Sequence, residues 1–330
     1  MADFVHIPTR PTLGLGCWAI GGPFFMDGRA VGWGEVDDAT SMAAIATALD
    51  HGICHFDTAQ AYGCGHSEAV LGQALKSHPD VAIATKIGLG IDTKTKELQG
   101  QISDPETIRH SIDASRKRLA RDRIDLVLHH VNEWPAEKVK PAFDMLATLY
   151  QDGIIGAYGW STDVPQSVAA YVDYPGFTAV EHAMNVLKPA PHMVPMVEKL
   201  NLLSLIRSPL AMGVLGGRYD ATTRFSNDEI RGSNPGWQDY FKDGKITDAY
   251  LAQLNATREI LTSDGRSLAQ GAIAWLWART ANAMPIPGFR TPDQVNDLCG
   301  ALEHGPLTSA QMDEIETILS RPAVPEPQPQ

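Results

Sequence analysis

Ile53-Cys54-His55-Phe56-Asp57-Thr58-Ala59-Gln60-Ala61-Tyr62-Gly63 carries a short β-like run into an acid and sets a tyrosine five positions beyond it. Two later runs end in the same manner. Val81-Ala82-Ile83-Ala84-Thr85 leads into Lys86, and Ile124-Asp125-Leu126-Val127-Leu128 leads through His129 into His130. Residues at the C-terminal ends of successive parallel strands converge on one mouth, where an α/β barrel keeps its chemistry. A phenol beside an ammonium, a buried carboxylate and an imidazole is a general acid with its tuning groups. The pattern points to carbonyl reduction or alcohol oxidation.

Outward from these runs, the sequence predicts strands at 13–19, 53–57, 81–86, 124–129, 155–160, 178–183, 202–207 and 283–287. Helical patterns fall at 66–77, 105–119, 136–151, 164–172 and 191–200, and Met42, Ile45, Ala46 and Leu49 form the apolar face of a first crossover helix. Asp104-Pro105 reads as an N-cap followed by proline at N1, and Ile108, Ile112 and Leu119 face inward behind it. Ser267 to Gln270 and Thr308 to Gln311 have the form of capping boxes. Eight strands alternating with helices favour a closed (β/α)8 TIM barrel, one α/β domain over residues 1–321. Residues 216–247 follow no helical or strand period and read as a lid or binding loop. The Pro-rich stretch 322–330 reads as a disordered tail.

Composition excludes several classes. With 44% hydrophobic residues in a 330-residue chain, a full core is available. A net charge of -12 argues against a general nucleic-acid or membrane surface. No apolar run is long enough to span a bilayer, and residues 1–6 lack the pattern of a signal peptide. Cys17, Cys54, Cys64 and Cys299 form no Cys-x-x-Cys pair and read as reduced thiols of a cytoplasmic protein.

With these residues in view, the chain resembles the aldo-keto reductases from about Leu13 to Leu307. The resemblance rests on Phe56-Asp57-Thr58-Ala59-Gln60-Ala61-Tyr62-Gly63 with Ser67-Glu68 and Leu71-Gly72, on Ala84-Thr85-Lys86, and on Ile124-Asp125-Leu126-Val127-Leu128-His129-His130. Looser matches are Gly159-Trp160-Ser161-Thr162, Ser208-Pro209-Leu210 and Pro285-Ile286-Pro287-Gly288-Phe289-Arg290. It implies a cofactor-dependent (β/α)8 barrel that lacks a Rossmann domain and uses no metal. Tyr62 is then the proton donor, Lys86 its neighbour, Asp57 the group that keeps Lys86 charged, and His130 the residue that orients the carbonyl. An adjacent ammonium is expected to lower the phenol's pKa. His130 is chosen over His129 because it stands five positions after Asp125; strand neighbours face opposite ways, which makes His129 a packed residue.

The same resemblance implies a nicotinamide site. Ser161 binds the carboxamide, with Thr162 where asparagine is usual and Glu181 where glutamine commonly completes the contact. Arg207 replaces a tyrosine that stacks on the ring: its guanidinium either stacks there itself or turns to a carboxylate such as Glu181. Pro209, Leu210, Gly213, Leu215 and Arg218 belong to the loop over the pyrophosphate. Gly288, Arg290, Gln294 and Asp297 belong to the adenosine end, where Arg290 suits a 2′-phosphate, so that NADP(H) is preferred and NAD(H) is the alternative. Cys17 and Trp18 border the nicotinamide, and Trp18 and Trp134 are candidate walls of a substrate pocket.

Other readings compete. Gly14-x-Gly16-x-x-Ala19 fits a dinucleotide fingerprint, yet a Pro-containing segment precedes it and Gly21-Gly22-Pro23 follows, which favours a first barrel strand. His-x-His and His-Glu-x-x-His patterns are missing, which disfavours a metal-dependent barrel hydrolase. Among oxidoreductases, a dehydrogenase of sugars or cyclic secondary alcohols is the alternative. A cofactor-binding regulatory subunit on the same barrel is disfavoured by the intact set Asp57, Tyr62, Lys86 and His130.

Overall fold

The computed structural model describes residues 7–9 and 11–329; residues 1–6, read above for a leader, and the last residue of the tail lie outside them. Eight parallel strands run in sequence order: β1 Leu15–Gly16, β2 His55–Asp57, β3 Ala82–Ile87, β4 Leu126–His129, β5 Tyr158–Ser161, β6 Phe177–Ala183, β7 Leu203–Arg207 and β8 Ala283–Pro285. The first and last strands meet: Gly14 N donates to Pro285 O at 3.0 Å and Gly16 N to Pro287 O at 2.9 Å. This closes the barrel. A Cβ on Gly16 would stand 2.8 Å from Ile286 O, so the glycines of the apparent dinucleotide fingerprint serve close strand approach.

The helices are α1 Asp38–Asp50, α2 His66–Ala74, α3 Pro105–Leu119, α4 Ala136–Gln151, α5 Pro165–Ala169, α6 Met193–Lys199, α7 Asp248–Leu261, α8 Leu268–Arg279, α9 Pro292–His304 and α10 Ser309–Leu319; α7 and α9 are additions to the sequence reading. Asp104 caps α3 through Thr107 N, and both capping boxes form, at Ser267–Gln270 and Thr308–Gln311. Alternation along the strands divides the interior into two shells. Ala82, Ala84, Leu126, Leu128, Ala179, Leu203, Leu205 and Met284 fill the barrel lumen. The other parity, with Phe56, Ile83, Val127, Trp160 and Val180, packs outward against the helices.

Departures from the sequence reading are local. The run 13–19 is a strand only at Leu15–Gly16, because the chain turns at Cys17 into a 3-10 turn, Trp18–Ile20. The loop after β3 holds an antiparallel hairpin, Leu89–Ile91 with Leu98–Gln101. Segment 216–247 is mostly turns, but Phe241–Lys242 and Lys245–Ile246 pair within it. Beyond α10 the described residues form no regular structure, and Val324 O lies 2.7 Å from His192 Nε2. Among the described residues, no helix is long and apolar enough to cross a membrane.

One buried carboxylate ties three of these elements together. Glu68 on α2 accepts from Thr85 Oγ1 of β3 at 2.6 Å and from Arg118 Nε of α3 at 2.6 Å, with its side chain fully enclosed. Glu68→Ala should lower stability by about 2–4 kcal/mol, between a charged hydrogen bond and a broken buried ion pair. Urea unfolding checks this; a loss below about 0.5 kcal/mol, the size of an ordinary surface change, would deny the cluster its role.

Candidate active site

Asp57, Lys86, Ser161, Glu181 and Arg207 lie on β2, β3, β5, β6 and β7, and His130 directly follows β4. All share the parity of the lumen residues beneath them and stand at the C-terminal ends. The barrel thus brings together side chains that are far apart in sequence.

Lys86 is the centre, with no exposed surface. Its Nζ donates to Asp57 Oδ1 at 2.7 Å and Oδ2 at 2.6 Å, to Thr58 O at 3.0 Å and to Tyr62 Oη at 3.2 Å. Glu181 Oε2 stands 3.2 Å from the same nitrogen. Burial alone would pull the ammonium's pKa down, but Asp57 and then Glu181 outweigh it and hold Lys86 above the usual lysine value. Asp57 is pushed well up, first by burial and next by Glu181. Tyr62 departs from expectation. Burial raises its pKa, and the opposing pull of Lys86, partly cancelled by the two carboxylates, does not overcome it. The phenol is therefore held in its protonated form, with Lys86 donating to its oxygen.

His130 presents its ring edge to Tyr62, centroids 5.7 Å apart. Burial first, then Lys86 and Arg207, push its pKa well below the usual imidazole value, so it is neutral. His129 turns outward, fully buried beside Trp160 and stacked on Trp134. Trp134 consequently packs in the outer shell and does not wall the mouth, because its ring follows the outward parity of His129. Trp18 does border the site: it stacks on Tyr62 at 5.9 Å, meets Trp33 edge-on at 5.4 Å, and approaches Trp237 of the 216–247 segment at 6.3 Å. That segment is moored to the loop after β1 by Ile230 N donating to Gly32 O at 2.8 Å and Ser233 Oγ to Ala30 O at 2.5 Å. Trp33 and Trp237 were not singled out for the site, since nothing in an aperiodic loop places a side chain.

The residues assigned to a cofactor divide. Ser161 Oγ donates to Glu181 Oε1 at 3.3 Å, while Glu181 Oε2 is enclosed with the Lys86 ammonium 3.2 Å away, out of hydrogen-bond alignment. Thr162 has the outward parity, and its hydroxyl donates to Asn132 O at 2.6 Å, so it braces the strand end instead of facing the mouth. Arg207 pairs with Asp163, not with Glu181; Asp163, the residue after Thr162, carried no signal beyond its place at a strand end. Cys17 and Leu215 are completely buried in the hydrophobic clusters, which withdraws their side chains from any bound ligand. Pro209 is buried and Leu210 half-buried, Gly213 adopts φ +98°, and Arg218 is exposed and makes no hydrogen bond or ion pair.

At the far end, Gly288 is open: an added Cβ would meet nothing nearer than 3.8 Å. Arg290 Nη1 donates to Trp33 O at 3.0 Å and Nη2 to Glu35 O, beside a cleft of about 420 Å³ lined by Glu35, Asp37, Ser41 and Thr291. Gln294 Oε1 accepts from Arg290 N at 2.7 Å, and Asp297 accepts from Gln270 Nε2, joining α9 to α8. An enclosed acceptor at Glu181, an open glycine and an arginine beside a cleft suit the two ends of a dinucleotide.

Residues 12–320 match the model of the aldo/keto reductase family. The chain belongs to that family. Aldo-keto reductase YhdN of Bacillus subtilis (strain 168) is 30% identical over 319 residues, covering 93% of this chain and 89% of the relative. An Escherichia coli (strain K12) NADH-specific methylglyoxal reductase is 27% identical over 312 residues, covering 89% of this chain and 90% of its own. The structure of a glycerol dehydrogenase from Gluconobacter oxydans superposes with a TM-score of 0.78 at 30% identity, covering 95% of this chain and 94% of that one. This chain is thus an oxidoreductase.

Because His130 is neutral in the fold, carbonyl reduction should show no inflection near its ordinary pKa. The measurement is kcat/KM for reduction between pH 5.5 and 9, about the window over which a free imidazole titrates. A flat profile is expected through the lower half. An inflection near 6.5 that disappears in His130→Gln would show that the imidazole titrates where the geometry says it does not.

Proposed function

We propose that this barrel interconverts a small alcohol and the corresponding aldehyde or ketone with a nicotinamide dinucleotide, Tyr62 exchanging the proton. The observation that carries the reading is the Lys86 Nζ donation to Tyr62 Oη at 3.2 Å, with both side chains buried. When bound, the nicotinamide supplies or accepts hydride. Tyr62 Oη then gives its proton to the carbonyl oxygen, and Lys86 steadies the negative charge that develops on the phenol oxygen. Asp57 keeps Lys86 protonated and fixes its direction. His130, a neutral imidazole beside Tyr62, would hold the substrate oxygen. Trp18, stacked on Tyr62 and approached by the exposed Trp237, would form an apolar wall.

Ser161 and Glu181 would hold the nicotinamide end, Arg218 the pyrophosphate, and Arg290 with the cleft beside it the adenosine. NADP(H) is the preferred form on this reading, since Arg290 keeps free N–H donors next to the cleft after its two backbone contacts. NAD(H) is the alternative, because Glu35 and Asp37 share that cleft and repel a phosphate. The glycerol dehydrogenase and methylglyoxal reductase among its relatives place small polyols and dicarbonyls first in a substrate panel. Oxidation of a sugar or cyclic secondary alcohol is the second reading.

Two substitutions test this. Tyr62→Phe should cut hydride transfer by about 10²–10⁴-fold while cofactor titration is unchanged; near-native turnover in both directions would remove Tyr62 as proton donor. Arg290→Ala should weaken NADPH roughly ten- to a hundredfold and leave NADH nearly unaffected. Equal weakening of both would mean that Arg290 serves to hold the 33–35 loop.

A further inference from the structure

Lys86 faces two buried carboxylates, one more than its charge requires. Asp57 takes two of its short contacts, and Glu181 approaches from β6 with 1% of its surface exposed. Glu181 Oε2 receives no hydrogen bond. The other groups around this point are balanced or neutral. Arg207 from β7 is matched by Asp163, which follows β5. His130 after β4 is kept neutral by burial and the nearby cations. Tyr62 and Cys17, from the loops after β2 and β1, are both held protonated by burial. Ser161 of β5 only donates a neutral hydrogen bond. Glu181 and Asp57 therefore share the one ammonium of Lys86, and their competition for it shows in Asp57, which burial and then Glu181 push well up.

We propose that Glu181 makes the pocket selective for the oxidised, cationic nicotinamide over the reduced, neutral one, and so favours hydride donation from the bound reduced ring. The inference rests on the proposed reading that the nicotinamide lies against Ser161 and Glu181. An oxidised ring brings the positive charge that the cluster lacks, whereas the reduced ring leaves Glu181 uncompensated in a poorly solvated site. Coulomb attraction across about 5 Å, at an effective dielectric near 20, is enough for a ten- to a hundredfold preference. By linkage, tighter binding of the oxidised form shifts the equilibrium between bound forms toward that form by the same factor. That favours hydride transfer from the bound reduced ring to a carbonyl, because the charge that develops on the ring is the one the site holds best. The excess charge also explains why a pair of carboxylates persists where one already satisfies Lys86.

The test is fluorescence titration of the full-length chain with NADP⁺, NADPH, NAD⁺ and NADH, for the native protein and Glu181→Gln. The native protein should bind the oxidised form of its preferred cofactor more tightly than the reduced form. Glu181→Gln keeps the shape and an acceptor oxygen, and should lower the oxidised-to-reduced affinity ratio by at least about tenfold, mainly by weakening the oxidised form. An unchanged ratio, or equal weakening of both forms, overturns the proposal and leaves Glu181 as a mere support or carboxamide contact. A native preference for the reduced form overturns it as well, even if the variant does not fold. Binding of none of the four forms to the native protein would be different in kind, since that result removes the proposed function itself.

Discussion

A lysine ammonium with no exposed surface holds the mouth of this barrel in order. Taking such an ion out of water costs several kcal/mol unless its surroundings replace the lost hydration. Here the replacement comes from Asp57, the carbonyl of Thr58 and the phenol of Tyr62, all at the end of β2 and in the loop after it, and from Glu181 on β6. Their positions are consequently coupled. A shift of any one strand end leaves a buried charge unmatched, so the electrostatics that serve the chemistry also fix the geometry. The same low-dielectric setting explains why Tyr62 is raised and not lowered: burial penalises a phenolate, and two nearby carboxylates offset the single cation. On the proposed mechanism, Lys86 acts by donating to the phenol oxygen as charge develops there and keeps no standing phenolate.

Lumen parity is the second constraint. Small and branched side chains, Ala82, Ala84, Leu126 and Leu128 among them, plug the barrel below the charged layer. With the plug in place, polar groups at the next inward position reach the mouth and nowhere else. This is why His130 and His129, adjacent in sequence, have unrelated surroundings: one meets Tyr62, and the other stacks between Trp134 and the outer aromatic shell.

The strands and the polar residues that end them were legible in the sequence because period-two alternation and the charge that ends each run are local signals. Asp57, Lys86 and His130 follow directly from them, and Tyr62 from its spacing to Asp57. The caps at Asp104, Ser267 and Thr308 were legible for the same reason, since each motif spans one helical turn. Pairings across the barrel were not. That Arg207 turns to Asp163, and that Glu181 turns to Lys86, depends on register between strands some 20 or more residues apart. Trp134 was placed at the mouth by its nearness to a strand end, but the outward parity of its neighbour carries it into the helix layer. Trp237 reaches Trp18 through a loop whose course is set by tertiary hydrogen bonds and by no pattern of its own. The first strand is short because the chain turns at Cys17 into the 3-10 turn Trp18–Ile20.

If Asp57 and Tyr62 act as one unit through Lys86, their removal cannot have independent effects. A double-mutant cycle on single-turnover hydride transfer, with Tyr62→Phe and Asp57→Asn alone and together, measures that coupling directly. The account predicts that each change slows the step, and that the double variant is no slower than Tyr62→Phe alone, because Asp57 has nothing left to tune. Effects that multiply would mean that Asp57 and Tyr62 contribute separately, and would contradict the central place given to Lys86.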